Sequence, residues 1–312
     1  MAAQRRFRFG IHATKGGSAD GWREKARRTE ALGYSTLVMP DHHVGTELDP
    51  MVAIAVAAGA TEALRVGTLV LGNDFRHPVV LAKEAATVDL LSEGRLELGL
   101  GAGWMRGDYA ALGLPCDPPG VRVERLAEAL AVVKGCWGDG PFSFEGEHYR
   151  VADLDAAPKP VQQPPPILVG GGGERVLALA AREADIVGVN PNLAAGDVSP
   201  EMARDTVASM TRKKVEWVRE AAGDRWDEIE LQVRYFFCAV TDDRVGLAEQ
   251  VAPAFGLTPE EALESGIALV GTVEEMVEQL QARREEYGFS YVVVDEDVME
   301  DFAPVVERLA GT

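Results

Sequence analysis

Short apolar runs and helical stretches alternate along the whole chain. Strands are predicted at residues 7–13, 36–40, 65–71, 96–100, 167–169, 185–189, 229–240 and 291–294, several of them apolar throughout. Runs that are apolar throughout mark strands buried on both faces by flanking helices. Helices are predicted at 21–32, 51–63, from Pro78 to the stop at Gly94, 121–137, 174–183, 200–223, 243–255, 259–264, 272–287 and near 298–309. In the 121–137 segment Val123, Leu126, Ala127, Leu130 and Val133 recur at helical spacing. Thr272 with Glu275 three residues on has the spacing of a capping box. Eight strands alternating with helices over this length predict an α/β fold, one (β/α)8 (TIM) barrel domain spanning residues 1–312. An open doubly wound sheet would more often carry a GxGxxG turn after strand one, and ATKGGSADG lacks it.

Two stretches break the alternation. Residues 138–166 hold FSFEGEHYRV, which reads as a short hairpin, and KPVQQPPP, an extended connector. They predict an insertion between strands four and five. A looser insertion is expected after strand seven.

The net charge, 31 − 50 = −19, argues against nucleic acid or an anionic membrane surface as the main partner. Cys116, Cys136 and Cys238 match no metal or redox spacing. The amino terminus has arginines without a following apolar segment, so no signal peptide is expected, and no run approaches the roughly 20 residues of a membrane span. A cytoplasmic protein is the expectation, with no metal site.

Candidate chemistry clusters at the carboxyl ends of the strands, where parallel α/β folds place ligands. Asp41, His42 and His43 close strand two; a histidine there can transfer protons near neutral pH or simply hydrogen-bond a neighbouring loop. Asn73, Arg76 and His77 follow strand three. Asn73 suits a hydrogen bond to a planar polar ring, whereas Arg76 and His77 read better as a polar turn capping the helix at Pro78. Gly101 and Gly103 can bring backbone close to a ligand, with Trp104 as an apolar wall or a plug. Gly170, Gly171, Gly172 and Gly173 run from strand five into a helix, an arrangement that suits a phosphate, though tight turns also use glycine. Asn190 lies just past strand six. No GxSxG, Walker loop or CxxC is present, which favours chemistry carried by a cofactor.

These residues carry a resemblance. LVMPDHH, GTLVLGNDFRHPVVLAKEAATVDLLSEGRLELGLGAGW, VRVERLAEALAVVK and PPPILVGGGGERVLALAAREADIVGVN resemble segments of the bacterial luciferase-like monooxygenase family, most closely its coenzyme F420 (deazaflavin) branch. The match covers most of residues 7–192 and is looser beyond. It implies an oxidoreductase transferring hydride to or from a small organic substrate, with F420 as cofactor. FMN is the alternative, in a two-component monooxygenase that needs a flavin reductase. A barrel that binds ligand without catalysis is a third possibility. The resemblance further implies a homodimer and a non-proline cis peptide at Leu69-Val70 against the cofactor ring. Phosphate would sit at Gly170 to Gly173, with Gly101, Gly103, Asn73 and Asn190 also near the cofactor. His42 and Asp41 would lie beside the reacting ring, and His12 and Trp104 in the substrate pocket. A related branch that oxidises sugar phosphates has an acid where this chain has Trp104, which points towards a less polar substrate.

Overall fold

A computed structural model describes residues 5–196 and 200–312. Eight barrel strands appear in chain order: β1 Arg8–His12, β2 Thr36–Met39, β3 Arg65–Thr68, β4 Leu96–Gly101, β5 Ile167–Gly171, β6 Ile186–Val189, β7 Glu230–Tyr235 and β8 Phe289–Asp295. They pair in parallel in the order β3-β2-β1-β8-β7-β6-β5-β4, and β3 also pairs with β4, which closes the barrel. Helices between the strands cover its outside, so the predicted (β/α)8 architecture is the observed one.

Alternation along each strand separates two apolar regions. Outward side chains such as Phe9, Ile11, Leu37, Leu98 and Val292 pack beneath the helices. Inward ones, among them Val38, Leu69, Leu168, Ile186 and Val293, form a separate small cluster in the barrel. The amino ends of the strands are closed by charge instead. Arg8 pairs with Glu97 and Glu230, both at 2.6 Å, and Arg65 reaches Glu97 at 2.6 Å. The Arg8 guanidinium also lies 3.5 Å from the Tyr291 ring centre. Burial pushes the Glu97 carboxyl up, but the two arginines outweigh it and hold it below its ordinary value. Glu97→Ala leaves Arg8 and Arg65 short of their shared carboxylate and should cost about 3–5 kcal/mol. Urea unfolding of the two proteins checks this.

Between β4 and β5 the expected hairpin is present, Phe142–Glu145 against Arg150–Leu154. The segment before it differs from expectation. Residues 106–112, for which the sequence predicts no element, form the helix Arg106–Leu112, ended by Gly113 at φ 67°. The predicted strand 229–240 splits after Tyr235. Phe237–Val240 leaves the barrel and pairs with Ala268–Gly271, a strand not anticipated. The long helix expected over 200–223 is two, Pro200–Arg204 and Ala208–Ala222. Between them the Asp205 carboxylate accepts from the backbone N–H of Asn192 at 2.6 Å and binds Lys214 Nζ. Lys214 also donates to the Asn190 carbonyl at 2.9 Å, so the break ties down the loop after β6. Among the described residues no helix is long and apolar enough to cross a membrane.

Candidate active site

The carboxyl ends of β1 to β7 surround a cavity of about 620 Å³, within the size range of cofactor and substrate sites. It brings together His12, Asp41, His42, Leu69, Val70, Gly101, Gly103, Trp104, Gly170 to Gly173 and Asn190. Asn73 does not join them. It sits in a short 3-10 turn, buried, with its side-chain amide donating to the Tyr149 hydroxyl at 3.3 Å. The expected contact of Asn73 with a bound ring therefore has no support in its position.

The peptide between Leu69 and Val70 is cis, where the resemblance places it. Past it the chain rejoins the sheet, Leu71 and Gly72 pairing with Leu100 and Gly101. Val70 lies against two glycines: a Cβ on Gly101 would come 2.6 Å from Val70 Cγ2, and one on Gly170 3.1 Å from Val70 Cγ1. The absence of side chains there makes room for the Val70 side chain at the lining of the cavity.

The glycine turn divides into two kinds of position. Gly172 is required by packing, because a Cβ there would lie 2.2 Å from the Pro191 carbonyl oxygen. Gly173 is not: its nearest neighbours would be Asn192 atoms at 3.8 Å or more, and its φ of −95° suits any residue. Gly173 is the N-cap of the helix Glu174–Glu183, and no side chain caps that end. The first residues of this helix line the cavity, and among the described residues no side chain caps its first amides, an arrangement suited to an anion.

Across the mouth, at the end of β2, His42 Nδ1 lies 2.7 Å from Asp108 Oδ2. The other oxygen of Asp108 accepts the backbone N–H groups of His43 and Val44, both at 2.9 Å. Asp108 is 1% exposed. The His42 ring meets Trp104 edge-on, with ring centres 5.5 Å apart. Asp108 escaped the sequence reading because its helix did; the signal was an acidic residue in the first turn of a helix that a glycine ends.

Asp41 borders the cavity and is also tied to the turn after β3. Its Oδ2 accepts from Arg76 Nη1 at 2.5 Å and from the backbone N–H of Gly72 at 3.1 Å. Arg76 also reaches Asp49 at 3.0 Å. The Asp41 carboxylate is thus already neutralised and holds the turn after β3 in place. His77 caps the helix Pro78–Leu91, its Nδ1 accepting from Val79, and His43 packs edge-on against Phe75. Both are structural positions.

His12 is 3% exposed and its Nδ1 lies 3.2 Å from Asp295 Oδ1. Burial, with Arg234 nearby, outweighs that carboxylate and pushes the imidazole down to about 4. A folded-state value below the unfolded one, about 6.5, means the unfolded chain binds the proton first. His12 therefore contributes full stability above about pH 6.5, and loses about 3 kcal/mol of it as pH falls towards 4. Unfolding curves across this range should flatten in His12→Asn.

A (β/α)8 barrel with a cleft at the carboxyl ends of its strands is the architecture of many enzymes, and comparison with known proteins narrows the class. The family model for luciferase-like monooxygenases matches residues 5–291, so the chain belongs to that family. It is 35% identical over 138 residues to the FMNH(2)-dependent dimethylsulfone monooxygenase of Pseudomonas putida, covering 44% of this chain and 38% of the relative. It is 31% identical over 169 residues to the F420-dependent glucose-6-phosphate dehydrogenase of Amycolatopsis mediterranei, covering 52% and 50%. The chain thus spans about half the length, or less, of these curated relatives. Its fold matches the coenzyme F420-dependent tetrahydromethanopterin reductase from Methanopyrus kandleri, with a TM-score of 0.77 and 19% identity over 98% of this chain and 99% of that one.

Proposed function

We propose that the protein is an oxidoreductase that binds a deazaflavin, coenzyme F420, across the barrel mouth and acts on a neutral, largely apolar alcohol or carbonyl compound. The observation that carries the reading is the pairing of an uncapped helix end at Gly173 with the His42–Asp108 pair on the other side of one cavity. The bound cofactor would supply the hydride chemistry. The chain's own residues do the rest. Gly170, Gly173 and the first amides of the following helix hold the phosphate; Val70, Gly101 and Asn190 border the ring. His42 Nε2 takes or gives the proton that accompanies interconversion of C–OH and C=O.

The walls support an apolar substrate. Trp104, Phe75, Val44 and Met105 border the His42 side of the cavity. The arginines that line it are engaged: Arg234 with Asp295 at 2.8 Å, Arg175 with Glu124 at 2.9 Å, and Arg122 with the carbonyls of Gly103 and Asp117. Among the described residues, each arginine lining the cavity is already hydrogen-bonded to protein, which favours a substrate without a phosphate. FMN is the second reading, favoured by the comparable identity to the dimethylsulfone monooxygenase; it would require a flavin reductase. The test is to mix the protein with oxidised F420 and a panel of neutral alcohols, and with reduced F420 and the matching ketones and aldehydes. Conversion of the cofactor with an apolar member supports the proposal. Conversion with sugar phosphates alone would contradict it.

A further inference from the structure

The carboxylate of Asp108 does more than anchor a loop. We infer that Asp108 is a positioning residue that fixes the tautomer of His42, so that Nε2 faces the substrate as a proton acceptor. The inference rests on the proposed function for its chemical consequence, but the tautomer itself can be tested without cofactor or substrate.

Asp108 Oδ1 accepts two backbone N–H groups, from His43 and Val44, both at 2.9 Å. That oxygen is therefore committed as an acceptor. Oδ2 faces His42 Nδ1 at 2.7 Å. An ionised carboxylate can only accept, so Nδ1 must carry the proton. The neutral ring then has its lone pair on Nε2. His42 lines the cavity, and its approach to Trp104 is edge-on. When a substrate hydroxyl gives up its proton, the O–H bond breaks, Nε2 gains the hydrogen, and the imidazolium formed is stabilised by the charge of Asp108. In the reverse direction the same ring returns the proton to the substrate oxygen. The 1% exposure of Asp108 keeps water from competing for Oδ2.

Asp108→Asn separates this role from a structural one. The two backbone N–H groups still need an acceptor, so the amide oxygen stays at the Oδ1 position. The amide nitrogen is then forced to face His42 Nδ1 and donates to it. The ring proton moves to Nε2, which can no longer accept. The packing and the loop hydrogen bonds are unchanged, while the chemistry of the ring is reversed.

Nitrogen NMR of protein labelled with 15N-histidine reads this directly. The chain has five histidines, and the His42 signals are identified by their loss in His42→Gln. In the wild-type protein, at a pH where His42 is neutral, the proton is expected on Nδ1. In Asp108→Asn it is expected on Nε2, with F420 affinity within about twofold of wild type and turnover lower by about 10²- to 10⁴-fold. Asp108→Glu, which keeps a carboxylate, should restore the Nδ1–H form. A wild-type proton on Nε2, or an unchanged tautomer in Asp108→Asn, would overturn the inference. If Asp108→Asn does not fold, the wild-type tautomer and the glutamate variant still decide. A tautomer change in a protein that converts no F420 with any alcohol or carbonyl would retire the proposed function and leave the coupling of Asp108 to His42 standing.

Discussion

Replacing His42 with alanine is expected to slow turnover by about 10²- to 10⁴-fold, the usual contribution of a positioned acid or base, while F420 binding stays near that of the wild-type protein. The expectation follows from where the ring sits. It lines the cavity, and its one hydrogen bond among the described residues is through Nδ1 to Asp108. Removing it leaves Asp108 Oδ2 without its partner, so the melting temperature is measured alongside turnover. Asp108 keeps its two backbone donors, and Trp104 loses one edge-on ring contact worth about 1 kcal/mol. Single-turnover measurements on cofactor-loaded protein separate the two quantities. Loss of binding with an unchanged rate for the bound fraction would return His42 to a structural role.

Gly173→Val is expected to weaken binding of a phosphate-bearing cofactor by about 10- to 100-fold, the equivalent of one or so lost hydrogen bonds to a charged group. The choice of glycine matters. At Gly172 a side chain would strike the Pro191 carbonyl at 2.2 Å, so weaker binding there could come from a disturbed fold. At Gly173 the backbone angles accept valine and the nearest atoms lie 3.8 Å away, so the melting temperature should hold. What the added side chain does occupy is the space before the uncapped amides of the helix Glu174–Glu183. Unchanged affinity would mean that the anion lies elsewhere.

The sequence was most legible where one face decided everything. A barrel strand covered by helices is mostly apolar, which places all eight, although charged residues such as Arg8, Glu97, Glu230 and Arg234 enter them and the run at 229–240 extends past the barrel. The unit from Arg65 to Trp104 was legible in detail, down to the peptide at Leu69-Val70, because that stretch matches its relatives in wording as well as pattern. The misses share a cause. Asp205 breaks a periodic helix where its carboxylate is committed to Asn192 and Lys214, partners 13 and 9 residues away. Asn73 is drawn to Tyr149 on the insertion hairpin, and Asp41 to Arg76. Asp108 finds His42 from 66 positions away. Each of these polar side chains has its role set by a tertiary partner, and hydrophobic periodicity carries no record of polar pairing.

The proposed cofactor cleft would hold an anion at Gly173 on one side and place His42 on the other. Titrating purified protein with oxidised F420, and separately with FMN, while following ligand fluorescence, tests that claim most directly. Saturable binding of F420, tighter than that of FMN and weakened in Gly173→Val, is the result predicted. Tighter binding of FMN, or no saturable binding of either, would contradict it.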